Sequence, residues 1–299
     1  MERNQWADRF TDNVVRRTER DSGTSVYVVF LLLCIPMLLA ITFSFIVVET
    51  NQDIFGSMDV IEIAFSTILV GECCIAGFLL YSYTRTDHDH QARDVEWMDA
   101  LIGYVGSKGG DTSEMERIRK GVRTAGWSAK KAFSGAMLLV DLAILAAIGI
   151  AAFLDVGMLA DRSFQMLLVC YAVLLIQFVF TVSTTIRFPV SHDKLQCEFT
   201  KALSVQLRGI SIPMEPMDRS VRRSYLVVHI LLFLVTLGLY SGVLLLLTSY
   251  LTSRHIKTQW KYEQRLMMEI ISFEGGVGIE GTGSNQPKSA VARFLKNLM

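Results

Sequence analysis

Residues 60–83, VIEIAFSTILVGECCIAGFLLYSY, run without a break into 84–99, TRTDHDHQARDVEWMD. The first stretch is apolar over more than the roughly 20 residues that a helix needs to cross a bilayer. The second carries Asp87, His88, Asp89, His90, Asp94, Glu96 and Asp99. Lipid offers backbone groups no water, so a crossing segment must be helical. Beyond the junction, Val95, Met98, Leu101, Ile102 and Val105 fall on one apolar stripe at helical spacing. The spacing predicts one helix that crosses a membrane and continues into water.

Four more runs have the same character: Ser25–Val48, Gly135–Leu154, Phe164–Ile186 and Tyr225–Leu251. A chain of 299 residues that is 51% hydrophobic, with its apolar residues gathered this way, is expected to be an all-α integral membrane protein. The first run follows 24 polar residues and exceeds the usual signal-peptide core, so it reads as a retained span. The expected organisation is an N-terminal segment 1–24, a first hairpin 25–83, a linker 84–133 and a second hairpin 134–186. A linker 187–224, a fifth membrane segment 225–251 and a C-terminal region 252–299 complete it.

Charge placement orients the chain. Residues 1–24 carry 5 Lys/Arg, 84–133 carry 9, 187–224 carry 7 and 252–299 carry 7, whereas the loops 49–59 and 155–163 share only Arg162. The positive-inside rule puts the N-terminus and both linkers in the cytoplasm of a multi-pass cell-membrane protein. Five plain crossings would leave Arg254, Lys257, Lys261 and Arg265 outside. A turn at Gly238…Gly242 would make the fifth segment re-entrant and keep the C-terminus cytoplasmic. The alternative is a final full span.

The exits of the second and fourth runs match. Arg85, His90, Glu96, Trp97, Ala100 and Leu101 recur as Arg187, His192, Glu198, Phe199, Ala202 and Leu203. A looser version, 254-RHIKTQWKYEQRLMMEII-271, follows the fifth run. This internal repeat predicts juxtamembrane amphipathic helices after each membrane unit. Trp97, Leu101, Phe199, Leu203 and Trp260 are their interface residues, with Phe294 in a short basic terminal helix over 289–299. The sequence 236-TLGLYSGVLLLLTSYLTSRH-255 resembles uncharacterised archaeal and bacterial multi-span proteins in which such a segment leads into a charged juxtamembrane helix. The resemblance implies a membrane module and carries no activity.

Glu72, Asp141, Gln177 and His229 lie inside the runs. Intramembrane carboxylates are costly and need a partner or water. They form either an ion pathway or hydrogen bonds that hold helices in register. Asp87, His88 and His90 could bind a metal, although neighbours spaced by two on a helix point apart. The same residues would serve an interfacial lipid-modifying enzyme. The five histidines, 88, 90, 192, 229 and 255, are too few for a histidine-rich diiron enzyme. The stretch 276-GVGIEG-281 lacks the strand that a dinucleotide loop requires and reads as a linker. Five cysteines without a CxxC suggest small buried hydrophobes.

The leading expectation is a non-enzymatic scaffold, assembly or accessory subunit without a cofactor. It would contact lipid and a protein partner or a second copy through the third span and the cytoplasmic helices, with no nucleic acid. Ala143, Ala147 and Ala151 give that span a small-residue ladder. The alternative is a proton- or ion-coupled transporter or channel using Glu72 and Asp141.

Overall fold

The computed structural model describes residues 9, 10, 12–14, 16, 17, 21, 23–50, 60–123, 127–154, 163–207 and 226–277. Phe294 and the terminal segment 289–299, most of the glycine-rich stretch and Arg162 lie outside these residues. The described residues are helical apart from short turns, with no strand among them: α1 Val26–Thr50, α2 Val60–Ser107, α3 Ser113–Arg123, α4 Trp127–Leu154, α5 Ser163–Ser183, α6 Phe188–Gln206, α7 Leu226–Val235 and α8 Tyr240–Val277. Residues 9, 10, 12–14, 16 and 17 are helical as well.

Among the described residues, four helical stretches are long and apolar enough to cross a membrane: Val26–Ile46, Ala64–Ser107, Ser128–Ala151 and Phe164–Gln206. Their outer faces expose Leu31, Ile41, Leu139 and Leu168, each more than 60% open, consistent with a lipid-covered surface. The fifth apolar run is divided. It gives the ten-residue α7 and the opening of α8, and α7 at about 15 Å is too short to cross.

The division falls at residues 236–239, where Leu237 and Gly238 take φ of 52° and 96°. Gly238 N–H closes α7 by donating to Phe233 O at 2.9 Å, and the Thr236 hydroxyl accepts from Tyr240 N–H at 3.0 Å to cap α8. The glycine expected at the centre of a turn thus supplies the left-handed residue, whereas Gly242 lies within α8. His229 Nδ1 reaches Tyr240 Oη at 3.0 Å, so α7 folds back beside the start of α8.

α2 organises the molecule. Its 48 residues extend about 72 Å, well beyond a hydrocarbon core of about 30 Å. Leu69, Cys73, Ala76, Leu79 and Tyr83 share one apolar core with Val29 of α1, Cys170, Leu174, Phe178 and Val182 of α5, Phe233 of α7 and Leu244 of α8. Further along, Val95, Trp97, Met98, Leu101, Tyr104 and Val105 share a second core. Its other walls are Phe10, Val14, α3, α6 and the distal half of α8. Pro189 lies in the first turn of α6, where its missing N–H costs nothing. Between the two cores every helix that passes contributes polar side chains, and those form the candidate site.

Candidate functional site

Three helices leave the apolar core side by side, and each places a histidine at the same level. His90 of α2, His192 of α6 and His255 of α8 are 0%, 2% and 0% exposed. Their rings lie 5.2 Å (His90–His192), 5.6 Å (His90–His255) and 5.2 Å (His192–His255) apart. One nitrogen from each ring lies within 4.8 Å of the other two. Phe188 stacks on His192 and meets the other two rings edge-on, which gives the cluster an apolar wall.

The three helices continue in register. Four residues past each histidine stand Asp94, Gln196 and Gln259; seven past stand Trp97, Phe199 and Tyr262; eleven past stand Leu101, Leu203 and Leu266. All are buried. The first set forms a polar collar: Gln196 Nε2 and Gln259 Nε2 donate to Asp94 Oδ1 at 2.8 and 2.7 Å. The aromatic set closes the layer, with Trp97 centred 6.2 Å from Phe199 and 6.1 Å from Tyr262. Burial pushes the Tyr262 hydroxyl above its ordinary pKa, and it remains a phenol 2.6 Å from the Thr200 hydroxyl.

Carboxylates stand behind the rings. His90 Nδ1 lies 3.0 Å from Asp21 Oδ1, and His255 Nδ1 lies 3.2 Å from Asp193 Oδ1. Asp21 also accepts from Trp260 Nε1 at 2.6 Å and pairs with Arg93 Nε at 2.9 Å. Burial opposes its charge, but the His90 hydrogen bond and the Arg93 guanidinium outweigh that and hold its carboxyl below the ordinary value. Arg93 completes its pairing with a bidentate Glu263 contact at 2.8 Å on each nitrogen and with Asn13 Oδ1 at 3.1 Å. Arg17 lies over the Trp260 ring at 5.3 Å. The N-terminal residues are thereby locked onto α2 and α8.

Acceptors dominate the centre. Gln259 Oε1 lies 2.7 Å from His90 Nε2 and 3.2 Å from His192 Nε2, while the Gln259 amide nitrogen faces the Asp94 and Glu263 carboxylates. His90 is therefore held between two acceptors, Asp21 and Gln259. Among the described residues, Asp94 Oδ2, His192 Nδ1 and both His255 nitrogens are buried without a hydrogen-bond partner.

The residues singled out from sequence are dispersed. Asp87 is buried on the side of Lys130, His88 is one-third exposed beside Asp89 at 3.0 Å, and only His90 joins the cluster. Gln177 Nε2 donates to both oxygens of Asp141 at 2.9 and 2.8 Å, and Cys73 Sγ lies 3.5 Å from Asp141. That clamp depends on Gly77, since any side chain there would collide with the Asp141 carboxylate. Glu72 accepts from the Ser241 hydroxyl at 2.8 Å, and His229 pairs with Tyr240, so these four residues form three separate contacts. Trp97, Leu101, Phe199 and Leu203 are buried within this chain, and Trp260 bonds Asp21.

Sequence reasoning missed the convergence of His192 and His255 with His90. The available signal was the common spacing to Asp/Gln, aromatic and Leu. No family model matches the chain, and neither a curated protein nor a solved structure matches it.

Proposed function

We propose that this chain is a non-enzymatic multi-pass membrane protein, a scaffold or accessory subunit whose cytoplasmic helical body engages a protein partner. The observation that carries the reading is the closure of the polar layer. Its histidines, glutamines and carboxylates meet across α2, α6, α8 and the N-terminal residues, at nearly zero exposure. Such an arrangement fixes the relative positions of these helices. Asn13, Val14, Arg17 and Asp21 join 84–107, 188–207 and the distal part of α8 in one body, which supports placing the N-terminus, both linkers and the basic residues after Leu251 on one side. The fold-back of α7 on α8 supports a re-entrant fifth segment and a cytoplasmic C-terminus. Ala143 and Ala147 lie exposed on α4, in keeping with a helix partner there.

The test is purification from native membranes in mild detergent, with mass determination of the intact complex. A stoichiometric foreign partner is expected. A pure monomer or homo-oligomer refutes the accessory-subunit reading. It shifts weight to transport, in which proteoliposome flux would be abolished by Glu72→Gln.

A further inference from the structure

The three histidines do more than cross-link helices. We infer that His90, His192 and His255 form a binding site for one divalent first-row transition ion, Zn²⁺ in type, with Asp94 as the fourth ligand. The inference is independent of whether the chain acts as a scaffold.

The donor set fits that chemistry. Imidazole suits zinc, copper, iron and nickel, and a closed four-ligand shell is the structural form of a zinc site. Tetrahedral bonds of about 2.1 Å hold ligand atoms about 3.4 Å apart. Nitrogens already within 4.8 Å of each other need ring movements of about 1 Å to reach that geometry. Asp94 is fully buried, and its Oδ2 has no hydrogen-bond partner and lies 3.5 Å from His192 Nε2. His255 Nε2 is likewise unpartnered. An unpartnered buried carboxylate oxygen aimed at imidazoles is expensive unless a cation meets it.

The outer shell fits as well. Metal-binding histidines generally turn their second nitrogen to a carboxylate, which fixes ring orientation and raises basicity. Asp21 bonds His90 Nδ1 in that way, and Asp193 Oδ1 stands 3.2 Å from His255 Nδ1, with His255 Nε2 unpartnered. Charge points in the same direction. The fully buried carboxylates Asp21, Asp94 and Glu263 face one fully buried guanidinium, Arg93, with the partly buried Arg17 near Asp21 and Glu263. A dication at the histidines would offset that excess.

The competing reading is a purely hydrogen-bonded polar layer with no affinity for metal. The two are separated on the full-length protein, purified through a tag free of histidine, stripped with chelator and titrated with Co²⁺, then Zn²⁺. One Co²⁺ per chain is expected, with the strong visible absorption of four-coordinate cobalt, bleached as Zn²⁺ displaces it. X-ray absorption on the zinc-loaded wild type should count three imidazoles at about 2.0–2.1 Å. His192→Gln and His255→Gln should each weaken binding by more than the roughly 10–100-fold typical of losing an outer-shell partner. His88→Ala and His229→Ala should bind as wild type. Failure of the wild type to retain either ion overturns the inference. So does a zinc shell without histidine, or undiminished binding in a folded His192→Gln/His255→Gln double variant. Should the histidine variants not fold, the wild-type titration and ligand count decide alone.

Discussion

Replacing Glu263 with glutamine changes one oxygen to an amide and leaves the volume of the polar layer intact. Its consequence follows from the surroundings. The Glu263 carboxylate accepts both Arg93 guanidinium nitrogens at 2.8 Å and Gln259 Nε2 at 3.0 Å, with side-chain exposure of 0% for Arg93 and Glu263 alike. Glutamine returns N–H groups to positions where donors already stand, and Arg93 keeps only Asp21 as a charged partner in direct contact. Removing one member of a buried pair costs about 3–5 kcal/mol, because the other charge remains desolvated. At about 2–4 °C per kcal/mol for chains of roughly this size, the unfolding midpoint in detergent should fall by about 10 °C.

Arg93→Met should cost more, since it leaves the Asp21 and Glu263 carboxylates facing one another without the cation they share. Arg93→Met combined with Glu263→Gln removes both charges. The pair should then cost about 1–3 kcal/mol less than the two single changes together, as directly contacting residues do in double-mutant cycles. Tryptophan fluorescence reports the transition, because Trp97 is buried in the adjacent apolar core. Burial also predicts little salt dependence between 0.05 and about 0.5 M, unlike an exposed pair. A midpoint shift under about 2 °C for Glu263→Gln, or strict additivity in the double variant, refutes this view of the layer.

Two further substitutions probe the turn and the aromatic layer. Gly238→Ala places a Cβ on a residue at φ 96°, which costs an L-residue about 1–2 kcal/mol. Nearby Leu174, Tyr171 and Leu69 would be in ordinary contact, so the midpoint should fall by a few degrees; no change would show that the turn relaxes freely. Trp97→Ala empties a 1% exposed position packed against Phe10, Phe199 and Tyr262 and should cost about 3–5 kcal/mol. Denaturant titration showing a loss below 1 kcal/mol would mean that the second core does not depend on it.

Much of the architecture was legible because composition changes abruptly along single helices. The junction between Tyr83 and Thr84 marks where α2 passes from an apolar core to a polar layer, and 60–107 is one helix across it. Gly238 was readable as a turn because left-handed backbone favours glycine. The division of 225–251 into a ten-residue helix and the start of a longer one was not readable from hydropathy, which registers one continuous apolar run. Asp141 and Gln177 were visible as intramembrane polar residues. Their direct pairing required knowing that α4 and α5 meet α2 at Gly77.

The histidine cluster shows why local motifs misdirect attention. His88 and His90 sit two residues apart and resemble a ligand pair, yet helical geometry turns successive residues by about 100°, so they face opposite ways. One ring meets Asp89 at the surface and the other enters the interior. The residues that meet His90 come from 102 and 165 positions further along, and no periodicity within α2 can announce them. What connects the segments is their shared sequence of demands. A histidine at the polar level is followed, one helical turn later, by a polar side chain of the collar that surrounds it. After two turns comes an aromatic to seal the layer, and after three a leucine to join the second core. Asp94, Gln196 and Gln259 meet the first requirement, Trp97, Phe199 and Tyr262 the second, and Leu101, Leu203 and Leu266 the third. Three helices with that pattern can bury so polar a layer only by placing it at one height. The spacing therefore reads as a packing code for the whole layer, and His90, His192 and His255 are its innermost rung.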